Sequence, residues 1–169
     1  MSKILFFNRS PPLPACTAEG EMKVGDFTIL DQRYKNHRSM LSPLWMGSPF
    51  FFDAHEFSSI EHAYQYHKAM LFFPDQAPRY ARTGDLGRKN PLEARRSMSR
   101  SVEPMNHMQV AHWKKISEDI LHQLAKAQYG QDHHMLMMLD ATGDAELWHV
   151  FGGKCERYKW LEKVRRLKD

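Results

Sequence analysis

Phe57-Ser-Ser-Ile-Glu-His-Ala-Tyr-Gln-Tyr-His-Lys-Ala-Met70 opens a helix directly after the apolar run Pro49-Phe-Phe-Phe-Asp-Ala-His-Glu-Phe57. Within it Glu61, Gln65 and Lys68 stand at i, i+4 and i+7. At about 100° per residue the three fall within about 60° of one another. They form one polar stripe, and Ile60, Tyr64, His67 and Leu71 form an apolar one. An acid, an amide and an amine therefore share a face. Two plainer readings stand beside this one. Ser58-Ser-Ile-Glu61 is a capping box in which Glu61 reaches back to the first backbone N–H, and Lys68 is a solvated lysine whose pairing with Glu61 adds little in water. If the face lines a pocket, Glu61 can act as a general acid or base, a desolvated Lys68 as a nucleophile or electrophilic stabiliser, and Gln65 can orient a ribose hydroxyl.

Outward from this stretch, the 49–57 run reads as a strand, a turn near Asp53 and a return. Further strands are expected over 4–8, 27–30 and 146–151, with the early ones joining the hairpin in one small sheet. Helices are expected over 58–73, 76–82, 91–98, 108–129, 133–140 and 157–167. The long helix carries Val110, Trp113, Ile116, Ile120, Leu124 and Ala127 at three-and-four spacing, a buried stripe in which Trp113 belongs to the core. Asp140-Ala-Thr-Gly143 reads as a helix stop. Residues 9–25, rich in Pro, Gly and short polar residues, read as a loop. The pattern is α+β, a mainly helical single domain over residues 1–169 with a small sheet.

With 169 residues, 42% of them apolar and 26% charged, the chain is long enough for a self-sufficient core. Its start lacks the apolar stretch and cleavage site of a signal peptide, and no run reaches transmembrane length. A soluble, cytoplasmic protein with no membrane partner is expected. Cys16 and Cys155 are too few for a disulfide framework, and no Cys-x-x-Cys or His-Glu-x-x-His spacing occurs, so no metal and no cofactor are expected. The formal charge of +4, with Arg95-Arg96, Arg100 and Lys163-Val-Arg-Arg-Leu-Lys168, favours anions such as phosphates or nucleic acid.

The helix stretch Ser58-Ser-Ile-Glu-His-Ala-Tyr-Gln-Tyr-His-Lys68 resembles the hallmark of the NADAR family, also called YbiA-like, in which a hydrophobic strand and turn precede a Ser-x-Glu-His-x-x-Gln-x-x-Lys-like motif. Upstream, Leu41-Ser-Pro-Leu44 occupies the place of a Phe-Ser-Asn-Phe-like element and matches at Ser42. Downstream, Asn90-Pro-Leu-Glu-Ala-Arg-Arg-Ser-Met-Ser-Arg100 is similar to a Pro-x-x-Ala-x-x-x-Gly-Arg segment, with Ser99 in place of glycine and Arg100 retained. Trp113 and the 136–147 stretch with Thr142-Gly143 continue the resemblance, which spans residues 41–147. Beyond it the family carries a glutamate and an Asp-x-x-Trp-Gly-x-Gly loop, where this chain has His149-Val-Phe-Gly-Gly-Lys154.

The resemblance implies cleavage of an N-glycosidic bond to ribose in an ADP-ribosyl or ribose-phosphate nucleotide-like substrate, such as ADP-ribose on guanine or a riboflavin-pathway intermediate. Glu61 and Lys68 would be catalytic, with Lys68 able to form a Schiff base with an opened ribose. Ser42, His62, Gln65 and Arg100 would contact substrate, Arg100 drawing its phosphates. His149 would replace the missing acid as a proton carrier, or be a buried structural histidine. Gly152-Gly153 would admit a phosphate to backbone N–H groups, or form a turn. Two other readings remain open: a non-catalytic module binding NAD or ADP-ribose, favoured by loss of the C-terminal loop, and a nucleic-acid-binding domain, for which no RNP, helix-turn-helix or zinc-finger signature appears. Nucleic acid also enters as the carrier of a modified base.

Overall fold

A computed structural model of the chain describes residues 1–7, 13–99 and 101–165. Five strands and seven α-helices appear among them: β1 (Lys3–Phe7), α1 (Thr28–Arg33), α2 (His37–Met40), β2 (Phe50–Phe52), β3 (His55–Phe57), α3 (Ile60–Phe72), α4 (Pro91–Ser97), α5 (His107–Gln131), α6 (His133–Ala141), β4 (Glu146–Phe151), β5 (Lys154–Arg157) and α7 (Lys159–Val164), with a 3₁₀ turn at Pro74–Tyr80. The α+β class expected from the sequence holds. These elements make two compact units, Met1–Trp45 with Asp132–Asp169, and Met46–Gln131.

In the first unit β4 lies between β1, to which it is parallel, and β5, to which it is antiparallel. Both faces of β1 are covered, since Ile4, Leu5 and Phe6 are all buried. Its outer edge meets no neighbouring strand at Leu5. There the N–H donates to Glu21 Oε1 (2.6 Å) and the C=O accepts from Arg38 Nη1. Glu21 and Arg38 are themselves ion-paired, their side chains 0% and 2% exposed. A buried salt bridge thus closes a sheet edge that would otherwise present unpaired backbone groups. Arg38 also donates to the carbonyls of Leu13 (3.2 Å) and Pro14 (2.7 Å), binding the N-terminal loop to α2.

Three expectations are corrected here. Residues 27–30 are not a strand: Phe27 is the N-cap of α1 and the helix covers the other three, because Asp26 accepts from the backbone N–H and hydroxyl of Thr28 to start a turn, and Phe27, Leu30 and Tyr34 bury at helical spacing. Nor do the early strands form one sheet, since β1 pairs with β4 while β2 and β3 pair only with each other. Strand β5 lies partly in the 157–167 helix expected at the C-terminus. Its exposed Lys154-Cys-Glu156 stretch has no apolar alternation to announce it.

In the second unit β2 and β3 form a hairpin closed by Asp53 and Ala54, both at positive φ (46° and 62°), the turn that matches strand twist. Gln131, at the end of α5, pairs with the free edge of β2: its Oε1 accepts from Phe51 N (2.8 Å) and its Nε2 donates to Phe51 O (2.7 Å). A side-chain amide thus takes the place of a strand neighbour. Helix α3 packs on α4 and α5. Its first turn is pinned to the 81–89 loop by Ser58 Oγ, which donates to Gly87 O (2.6 Å), and by His62 Nε2, which donates to Leu86 O (3.1 Å). Gly84 and Gly87 make this loop feasible, since a Cβ would lie 2.3 Å from Pro78 O at the first and 1.8 Å from Ala81 O at the second.

Candidate functional site

The N-cap of α3 is Ser59, whose Oγ accepts from His62 N. The capping box expected at Ser58 is therefore displaced by one residue, and Glu61 takes no part in it. Released from the cap, Glu61 turns inward and is 4% exposed. Arg95 of α4 grips its carboxylate with a two-point fork, Nη2 to Oε2 at 2.5 Å and Nε to Oε1 at 3.1 Å. Gln65, one turn along α3, donates from Nε2 to the same Oε1 at 2.7 Å. Three donors thus converge on one buried carboxylate, a geometry that holds it rigidly.

The polar stripe read from the sequence is therefore the buried side of α3 in its first two turns, and Leu71 of the expected apolar stripe is exposed. Charge compensation from another helix overrides the apolar pattern here. Gln65 is as buried as Glu61, and its Oε1 has no hydrogen-bond partner. A buried acceptor without a partner carries a desolvation penalty of about 1–3 kcal/mol. Lys68 continues the face, half-buried, with Nζ donating to Met98 O at 3.1 Å. Beside it lies a cavity of about 140 Å³ lined by Lys68, Glu103, Met105, Val110, Trp113 and Lys114. Trp113 of α5 is fixed there by donating Nε1 to Tyr64 Oη (2.9 Å), a phenol whose pKa burial pushes up.

His62 is fully buried with both ring nitrogens used inside the protein. A carbonyl only accepts, so the bond to Leu86 puts the proton on Nε2, and Nδ1 accepts from Ser59 Oγ at 2.8 Å. Burial holds its pKa below the usual 6.5. This gives His62 a part in joining α3 to the 81–89 loop.

The remaining residues singled out in the sequence belong to the first unit. His149 in β4 is buried, stacks on Phe6 at 5.0 Å and pairs through Nδ1 with Tyr158 Oη at 2.8 Å. Ser42 is buried, and its Oγ accepts from Leu44 N at 3.2 Å in the turn after α2. Gly152 and Gly153, at φ 59° and 76°, are the two-residue turn of the β4–β5 hairpin. Arg100 lies outside the described residues, as do the last residues of the C-terminal basic group.

Arg95 is the member of the cluster that sequence reasoning missed. Its partner Glu61 is 34 positions away, and Arg95 was read only as part of a basic run. A signal was present in its position beside Ala94 on a short helix started by Asn90-Pro91. Among the described residues no group of three or more His, Cys, Asp or Glu is placed to hold a metal ion, and no helix is long and apolar enough to cross a membrane.

Three comparisons bear on this arrangement. No curated protein sequence matches the chain. Among solved structures it is similar to the NMR structure of the E. coli protein YbiA, with 15% identity over 98% of this chain and 85% of that one and a TM-score of 0.60, a likeness of fold. The family profile described as NADAR domain matches residues 26–150, a span that includes α1 as well as the Glu61 cluster and β4. With the match covering well over half of its length, the chain belongs to the NADAR family.

Proposed function

We propose that the protein is an N-glycosidase acting on ADP-ribosyl or ribose-phosphate nucleotide-like substrates, with removal of ADP-ribose from a modified base such as guanine as the leading case. The observation that carries this reading is the buried Glu61 carboxylate, clamped by Arg95 and Gln65 on the face that Lys68 continues beside a cavity. Cleavage of a ribosyl bond develops positive charge on the sugar, and a fixed carboxylate stabilises it without reorganising. Lys68, with Nζ on the Met98 carbonyl, is placed to meet a phosphate as the ammonium or, once unprotonated, to attack the aldehyde of a ring-opened ribose, with loss of water giving the Schiff base. The cavity is smaller than the roughly 300–1,000 Å³ that encloses a drug-sized ligand, so it suits one moiety of a nucleotide. The partners are then a nucleotide-like small molecule or a nucleic acid carrying the modified base, in a cytoplasmic setting, with no metal required.

A second reading, a binding module for NAD or ADP-ribose without turnover, is favoured by one specific feature: three donors from Arg95 and Gln65 already occupy the Glu61 carboxylate.

The deciding experiment incubates the purified protein with guanine-ADP-ribosylated DNA and with NAD in excess EDTA, following released ADP-ribose by mass spectrometry. Release by the wild type, reduced at least about 100-fold in Glu61→Gln and in Lys68→Ala, is the expected result. Tight ADP-ribose binding with no release selects the binding module, and release that EDTA abolishes and a divalent ion restores refutes metal independence.

A further inference from the structure

The orientation of a glutamine amide decides whether it offers a donor or an acceptor, and at Gln65 that choice is made by its neighbours. Glu61 Oε1 already accepts from Arg95 Nε, and Gln65 Nε2 lies 2.7 Å from the same oxygen, so the Gln65 nitrogen faces the carboxylate as a second donor. The amide cannot turn over without placing oxygen against oxygen. Oε1 is left facing away from the carboxylate, buried and with no partner.

We infer that Arg95, Glu61 and Gln65 form a relay that fixes Gln65 Oε1 as an acceptor for a hydrogen-bond donor of the ligand, and so makes the site select a sugar hydroxyl. The inference rests on the ribosyl reading above and deepens it. A phosphate or carbonyl oxygen at this point would meet another acceptor and be rejected. A hydroxyl supplies the missing bond, and an analogue lacking it leaves Oε1 unsatisfied. Arg95, at 32% exposure, is the outermost member of the cluster. Glu61 then acts on the sugar through Gln65 as a positioning residue, in addition to its charge.

The test measures equilibrium binding of ADP-ribose and its 2′-deoxy and 3′-deoxy ribosyl analogues to the wild type, Gln65→Met and Arg95→Lys, with folding checked by circular dichroism. Methionine keeps the side-chain volume and removes the acceptor, and lysine keeps the charge and removes the fork. The wild type is expected to bind one deoxy analogue at least about tenfold more weakly than ADP-ribose. That ratio should fall to near one in Gln65→Met and drop severalfold in Arg95→Lys. Equal wild-type binding of all three ligands, or a ratio that survives in Gln65→Met, overturns the inference and leaves the ribosyl reading standing. An undiminished ratio in Arg95→Lys removes Arg95 from the relay. No binding of any of the three overturns the ribosyl reading and this inference with it.

Discussion

Two arginines with unlike surroundings show how a single side chain is used in this protein. Arg95 remains a third exposed while it holds Glu61, whereas Arg38 is buried with Glu21 and spends its guanidinium on one carboxylate and three backbone carbonyls. Breaking a buried pair costs about 3–5 kcal/mol because a charge is stranded. Arg38→Met should therefore destabilise the protein by that amount in urea unfolding. Arg38→Met/Glu21→Gln should recover part of the loss, since no charge is then left behind. A loss below about 1 kcal/mol in the single variant would show that the pair contributes little. The sequence marked Arg95 only as part of a basic run and Arg38 not at all, because the character of a cation is set by what folds over it.

At the scale of the element, backbone geometry divides the turns sharply. The β4–β5 turn places glycine at both positive-φ positions, while the β2–β3 turn uses Asp53 and Ala54. Alanine in the left-handed region costs about 1–2 kcal/mol relative to a right-handed residue, partly offset in glycine by its greater freedom when unfolded. Ala54→Gly should raise stability by about 0.5–1 kcal/mol, a rise of a few degrees in thermal midpoint; a fall would mean that the Ala54 methyl makes a contact worth more than the strain. Gly87→Ala should act in the opposite direction, losing at least about 1–3 kcal/mol, because its Cβ would run into backbone at Ala81, which cannot rotate away. The helix over residues 58–73, the hairpin around Asp53, the long helix and the 146–151 strand were all legible, each having a strong local period or a turn residue. The 27–30 strand was misread because four β-prone residues were judged without Tyr34, the next position of the helical stripe.

For the molecule as a whole, two buried imidazoles and one half-buried one govern the response to acid. His37, His62 and His67 all have pKa values below the usual 6.5, first through burial. Their folded forms resist a proton that the unfolded chain accepts near 6.5, so stability is lost as pH falls below that value. Glu162 adds to this at lower pH. Burial raises its pKa, but the hydrogen bonds from Arg157 and from Leu147 N outweigh that and hold it below the usual 4.5, so its contribution is lost as pH falls through the lowered value. The thermal midpoint should therefore decline steadily from pH 7 to pH 5 and more steeply below pH 4. A midpoint unchanged between pH 7 and pH 5 would contradict the assignment of these three histidines as neutral in the folded protein.

The sequence by itself determined the class of fold, the helix that carries Glu61, Gln65 and Lys68, and the family, because helical periodicity, turn residues and a motif are properties of neighbours along the chain. The tertiary structure decided the rest of the site. It moved the cap from Ser58 to Ser59, turned the polar stripe inward and set Arg95 against Glu61. It committed both nitrogens of His62 to the protein and left Gln65 Oε1 without a partner. A buried charge is tolerable only where its compensating partner arrives from elsewhere in the chain, and no pattern within α3 records that Arg95 will be there.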